Sequence, residues 1–349
     1  MRDVNFKIAP FISSYSIAHM AVDAACAFLM LGVLRINGSN AILAMLIYNG
    51  LAFVFQAPLG LLVDKVLNPK YSAIVGLVLV ASGYIFYSNI FHAITIIGIG
   101  NALFHVGGGS LVLSLETHKA TFSSIFVGPG AIGLAIGSYL AHSPYHIPLL
   151  ALPIILLLLS GLIYFVNAPF FSRIKEQPVI GKTSFAILLI LLIMIPIAVR
   201  SAIGMTFEFP WKENQYLYIT LLIALLLGKV LGGILADKFG LMIVGVGGLL
   251  LSTPLLAFYP TIPTLGIIGG FLFNITMPVT LIALLNVLPH KKGFTFGLTT
   301  VAIFIGSLPT ILGTDTWLKN EYVVLFTIIL SALSLFIALK LKTSGNKRI

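Results

Sequence analysis

Charge is scarce in this chain. Only 9% of its 349 residues are Asp, Glu, Lys or Arg, against roughly 25% in a soluble globular domain. That scarcity excludes a soluble enzyme, a disordered segment and a fibrous protein. Cysteine is scarcer still. The single Cys26 lies in an apolar stretch, so no intramolecular disulfide can staple the fold. There is no Gly-x-x-x-x-Gly-Lys-Ser/Thr loop, which argues against an ATP-driven pump. A Gly-x-Ser-x-Gly elbow and a His-Glu-x-x-His pair are also missing, and each would have signalled an enzyme. Neither catalysis nor a cofactor is expected.

What the chain has is apolar length. Some 59% of it is hydrophobic, with a mean hydropathy of +1.09. Spanning-length segments are predicted at 9–34, 41–63, 71–90, 92–114, 122–141, 148–167, 184–207, 215–236, 240–259, 262–287, 294–314 and 321–341. They are predicted as helices, because lipid cannot satisfy the backbone of an open strand. Twelve spans take roughly 240 residues, which leaves no room for an extramembrane domain. The longest polar interval, 168–183, carries Arg173, Lys175, Glu176, Gln177 and Lys182. It divides an N-terminal six-helix bundle (1–167) from a C-terminal one (184–349). The first span follows Arg2 and Lys7 without a small-x-small cleavage site, and is expected to be retained.

The net charge of +10 reports orientation. With the N-terminus inside, fifteen Lys and Arg residues fall in inner loops and tails, among them Lys65, Lys119, Lys238, Lys291 and Lys292. Only Arg35, Lys212 and Lys319 fall outside. That asymmetry places both termini in the cytoplasm of a multi-pass cell-membrane protein. It also removes nucleic acid as a partner and leaves the bilayer as one. Asn37-Gly38-Ser39 is a glycosylation sequon in an outer loop, and His142 and His146 flank Pro144 as surface residues.

The two halves resemble each other. Gly60-Leu-Leu-Val-Asp64-Lys65 matches Gly233-Ile-Leu-Ala-Asp237-Lys238, and His118-Lys119 matches His290-Lys291. The offset is close to half the chain, the pattern of parallel-repeat transporters. The Gly-x-x-x-Asp-Lys loops, the second continuing Phe239-Gly240, resemble the loop signature of the major facilitator superfamily. That resemblance implies a twelve-helix fold of two pseudo-symmetric halves, a central cavity of alternating access and a monomer. It also implies that Gly60, Asp64, Lys65, Gly233, Asp237 and Lys238 lock one conformation. Three further stretches resemble the fosmidomycin-resistance branch of drug exporters: His19-Met-Ala-Val-Asp23, Gln56-Ala-Pro58-Leu-Gly60 and Asn101-Ala-Leu-Phe104-His105.

A few polar residues lie where lipid would be. Asp23 falls near the middle of the first span and His19 one turn before it on the same face. A charge at that depth costs about 3 kcal/mol, so it faces a cavity or a partner. A carboxyl beside an imidazole suits proton coupling or, read blandly, a packing lock. His105, with Asn101 one turn away, sits mid-span in the fourth segment, and the resemblance brings both beside His19 and Asp23. Zinc at this cluster has nothing specific behind it. Arg200, after Pro196 in span 7, suits a substrate carboxylate or phosphate, or a static ion pair. Lys229 occupies the repeat position of Gln56 and joins the expected lock, while Glu116 is expected in its first-half counterpart. Glu208 is expected at the outer rim. Gly128-Pro129, Gly133 and Gly137 resemble an antiporter motif, or else serve close packing. Asn274, Thr276 and Pro278 give span 10 a polar, breakable centre.

The sequence thus predicts a secondary active transporter that exports a small organic molecule by alternating access in exchange for protons. Its expected proton-coupling residues are Asp23, His19 and His105, and its expected substrate contacts Asn101, Gln56, Arg200 and Asn274. Uptake of a small organic anion is the alternative, and a non-transporting receptor of the same fold a third reading.

Overall fold

The computed structural model describes residues 2–34, 40–115, 119–143, 147–169 and 183–346. Among the described residues, eleven helices are long and apolar enough to cross a membrane. They are α1 (Ile8–Val33), α2 (Ala41–Lys65), α3 (Pro69–Phe86), α4 (Ile90–Val112), α5 (Thr121–His142), α7 (Ser184–Thr206), α8 (Gln215–Phe239), α9 (Leu241–Phe258), α10 (Pro263–Leu285), α11 (Lys292–Ile311) and α12 (Glu321–Thr343). The sixth apolar helix, α6 (Ala151–Phe165), has only 15 residues. At 1.5 Å per residue it covers about 22 Å, less than the ~30 Å hydrocarbon layer. The sequence predicts this span to begin at 148, but Pro148 and its neighbours stay outside the helix.

Local chemistry sets the helix ends. Asn68 accepts from the Lys70 and Tyr71 amides with Pro69 at the first helical position, and Asn89 and Asn214 cap α4 and α8 the same way. Such caps satisfy donors that a helix start leaves unpaired. Gly240, at φ 91°, lets α8 stop and α9 begin with one residue between them. Two helices change pitch inside the apolar zone, with π-helical turns at Leu29–Val33 and Gly50–Val54. Helix α10 is interrupted at Ile275, between Pro263–Asn274 and Thr276–Leu285.

The chain forms two compact units. Unit 1 takes residues 1–117, 125–173 and 291–301; unit 2 takes 118–124, 174–290 and 302–349. Most of the linker expected at 168–183 lies outside the described residues, as do Glu116, His146 and the Asn37 sequon. In unit 1, α3 and α4 approach backbone to backbone. A Cβ on Gly100 would lie 2.8 Å from the Val80 nitrogen, and one on Gly76 would press on the Phe104 backbone. In unit 2, Gly228 and Gly232 meet the α10 backbone in the same way. Small residues serve this purpose in membranes, where packing replaces the hydrophobic effect.

Candidate functional site

Three side chains from α1 and α4 converge in unit 1. His19 and Asp23 stand one turn apart on α1, and His19 Nε2 lies 3.3 Å from Asp23 Oδ2. From α4, His105 Nε2 reaches 3.5 Å from Asp23 Oδ1 and 2.9 Å from His19 Nε2. The other nitrogen of each ring is tied down. His19 Nδ1 is 2.8 Å from the Phe126 carbonyl oxygen, and His105 Nδ1 is 2.9 Å from that of Asn101. A carbonyl oxygen only accepts, so both Nδ1 atoms carry hydrogen and donate.

That leaves the two Nε2 atoms facing each other. In neutral rings both would be bare acceptors, and two acceptors at 2.9 Å repel. A proton placed between them would turn repulsion into a charge-assisted hydrogen bond. The Asp23 carboxylate lies beside both nitrogens. Both histidines are buried, whereas the Asp23 side chain is 21% exposed, making the carboxylate the open edge of the cluster.

Neighbouring residues fix the two rings. Phe126 is tilted against His19 at 4.7 Å between centroids, and Phe104 meets His105 edge-on at 5.5 Å. Phe296, from the α11 segment of unit 1, sits 6.5 Å from His105. Further along α5, Gly130 brings bare backbone to the cluster. A Cβ added to Gly130 would lie 2.5 Å from His19 Nε2 and 2.6 Å from Asp23 Oδ2. Gly133 and Gly137 face the backbones of Met20 and Ala24, so the spaced glycines seat α5 on α1. The buried Asn101 side chain turns away from the imidazoles; its amide nitrogen donates to Cys26 Sγ at 3.6 Å, and its Oδ1 has no hydrogen-bond partner. Gln56 is also buried, with Nε2 donating to the Ala52 carbonyl and Oε1 left unpartnered.

The repeated loop residues make matching contacts. Asp64 accepts the Gly293 amide at 2.7 Å and the Phe294 amide at 2.9 Å, in the first turn of α11. Asp237 accepts the Ala120 amide at 2.7 Å and the Thr121 amide at 3.0 Å, at the start of α5. A carboxylate at a helix start meets unpaired amides and the positive dipole end. The Asp64–Asp237 separation equals that of Ala120 and Gly293. Gly60 lies against the Gly293 backbone and Gly233 against Ala120 and Ser124, so both carboxylate-bearing helices approach through glycine. Lys65 and Lys238 are exposed and Lys229 is half-buried.

Unit 2 holds the other expected residues. Arg200 Nη1 donates to the hydroxyl oxygens of Thr276 at 3.4 Å and Thr280 at 3.5 Å. Both hydroxyls donate onward to backbone carbonyls, of Phe273 and Met277, which leaves their lone pairs to the guanidinium. Asn274 donates to the Gly270 carbonyl at 2.9 Å, next to the α10 break. Glu208 pairs with Lys319 at 3.3 Å, both largely exposed. Sequence reasoning missed Phe126, Gly130 and the amides at 120–121 and 293–294. Only the repeat offset, which carries 120–121 onto 293–294, pointed to any of them.

Solved structures share this architecture. The E. coli fucose:proton symporter matches with a TM-score of 0.73 and 15% identity, over 96% of this chain and 99% of that one. This is the major facilitator fold. The human organic anion transporter TETRAN matches at 0.67 and 14%, over 96% of this chain and 99% of that one. A bacterial homologue of the iron transporter ferroportin, in an outward-facing state, matches at 0.62 and 13%, over 97% and 99%. No protein-family model matches the chain, and no curated protein sequence does. The branch resemblance to fosmidomycin-resistance exporters therefore rests on the sequence motifs alone.

Proposed function

We propose that the chain is a secondary active transporter that works by alternating access in a cell membrane, with both termini cytoplasmic, as a monomer. Proton uptake and release at His19, His105 and Asp23 drives the cycle. The observation that carries this reading is the 2.9 Å separation of two Nε2 atoms whose rings both donate elsewhere through Nδ1. Such a pair gains or loses a whole hydrogen bond with one proton, so protonation changes how α1 and α4 hold together. A proton thereby biases one packing over another, which is what coupling requires.

The favoured direction is export of a small organic molecule in exchange for protons, after the drug-exporter motifs in α1, α2 and α4. Asn101, Gln56, Arg200 and Asn274 contribute substrate contacts. Gly60, Asp64, Lys65, Lys229, Gly233, Asp237 and Lys238 form the conformational lock, with Asp64 and Asp237 as its polar centres. One observation favours a second reading, uptake of an organic anion. Arg200 has uncharged threonine hydroxyls as its hydrogen-bond partners, which suits a guanidinium that awaits a carboxylate or phosphate.

Proteoliposomes with a pH-sensitive dye inside and a chelator on both sides test the proposal. Adding compounds from outside by chemical class is expected to move protons for one class only. Flux against the compound indicates exchange, and flux with it indicates uptake. Folded protein that moves no protons for any class contradicts proton coupling.

A further inference from the structure

The same three donors have the arrangement of a metal site. We infer that His19 Nε2, His105 Nε2 and the Asp23 carboxylate bind one divalent transition-metal ion of the zinc class. This deepens the reading above, since it names a second cation for that cluster, but it stands on geometry and not on proton coupling.

The distances carry the argument. Donors held about 2.0–2.2 Å from one ion lie about 3.0 Å apart at right angles and about 3.4 Å apart at tetrahedral angles. Here the two nitrogens are 2.9 Å apart, and the carboxylate oxygens are 3.3 and 3.5 Å from the nearer ring nitrogens. All three donors lie within 4.8 Å of one another. Both imidazoles turn the same nitrogen inward, and both donate Nδ1–H to a backbone carbonyl. Metal-binding histidines are usually oriented by this outer contact, which also fixes the tautomer.

The surroundings keep the donors in place. Residue 130 is glycine, and a Cβ there would press on His19 Nε2 at 2.5 Å and Asp23 Oδ2 at 2.6 Å, so the bare backbone leaves both donors undisturbed. Phe104, Phe126 and Phe296 pack around the two rings. Two imidazoles and one carboxylate suit zinc, cobalt or ferrous ions; calcium and magnesium prefer oxygen alone. Three protein ligands leave a fourth position open, as in sites with exchangeable ligands, and the part-exposed Asp23 marks the open side. An ion and a shared proton need the same space between the Nε2 atoms, so the two exclude each other.

Cobalt(II) is the probe. Full-length, tag-free protein in detergent, stripped with chelator, is titrated with Co²⁺ and read by visible absorption, then by displacement with Zn²⁺. One Co²⁺ per chain is expected, with a nitrogen-ligand spectrum that Zn²⁺ abolishes. His105→Ala and Asp23→Asn are expected to weaken binding at least ten-fold. Gly130→Ala keeps every donor but pushes His19 Nε2 and Asp23 Oδ2 out of place, and is expected to abolish the signal in protein that still elutes as a folded monomer. Absence of stoichiometric binding to the wild type overturns the inference, as does a signal that survives His105→Ala. Proton flux under chelator is measured separately. Flux without metal binding removes only the metal site, and metal binding without flux removes only the coupling.

Discussion

His105 Nε2 stands 2.9 Å from His19 Nε2, and both rings already donate through Nδ1. The proposed coupling has one proton held in common when the pair is loaded. Nitrogen-15 NMR of histidine-labelled, metal-free protein checks this. Two rings with protonated Nδ1 and one strongly deshielded proton shared between their Nε2 atoms are expected. Replacing His105 with alanine removes that proton signal and returns His19 to an ordinary imidazole. Two rings protonated at Nε2 and bare at Nδ1 contradict the arrangement.

The two aspartates of the repeat are expected to protect specific amides. In Asp64→Ala, the Gly293 and Phe294 amides should exchange hydrogen about ten-fold faster, since a hydrogen bond to a charged group is worth about 1.5 kcal/mol. In Asp237→Ala, the Ala120 and Thr121 amides should respond in the same way. Each variant should leave the other pair of amides unchanged. Hydrogen exchange read by mass spectrometry on short fragments makes the measurement. Unchanged protection in both variants contradicts a lock built on these carboxylates.

Arg200 is expected to discriminate by charge. Arg200→Lys keeps the charge and loses the planar fork that reaches Thr276 and Thr280. Affinity for substrates bearing a carboxylate or phosphate should fall about ten-fold or more, while neutral compounds lose little. Equal losses for both classes assign Arg200 to holding α7 against α10.

The architecture was legible because it rests on composition. Runs of about 20 apolar residues separated by short polar turns have few solutions in a bilayer. The positions of His19 and Asp23 were legible because residues four apart share a helix face. The ring orientations were not. They depend on the Phe126 carbonyl, which belongs to a helix whose register on α1 is set by Gly133 and Gly137. No one-dimensional pattern encodes that register. Asn101 shows the same limit. Its spacing from His105 was evident, yet its backbone oxygen supports the imidazole while its side chain turns to Cys26. The short α6 escaped because hydropathy does not register that residues 147–150 stay outside the helix.

The most direct test of the account separates substrate movement from its driving force. Wild-type protein and Asp23→Asn are compared in proteoliposomes for two activities: exchange of labelled for unlabelled substrate, and uphill accumulation under an imposed pH gradient. In the proposed coupling the carboxylate, 3.3 and 3.5 Å from the two Nε2 atoms, is the counter-ion of the shared proton. Asp23→Asn is therefore expected to retain exchange and to lose accumulation. Accumulation at the wild-type level in Asp23→Asn would contradict the account, because the proton gradient would then act through other residues.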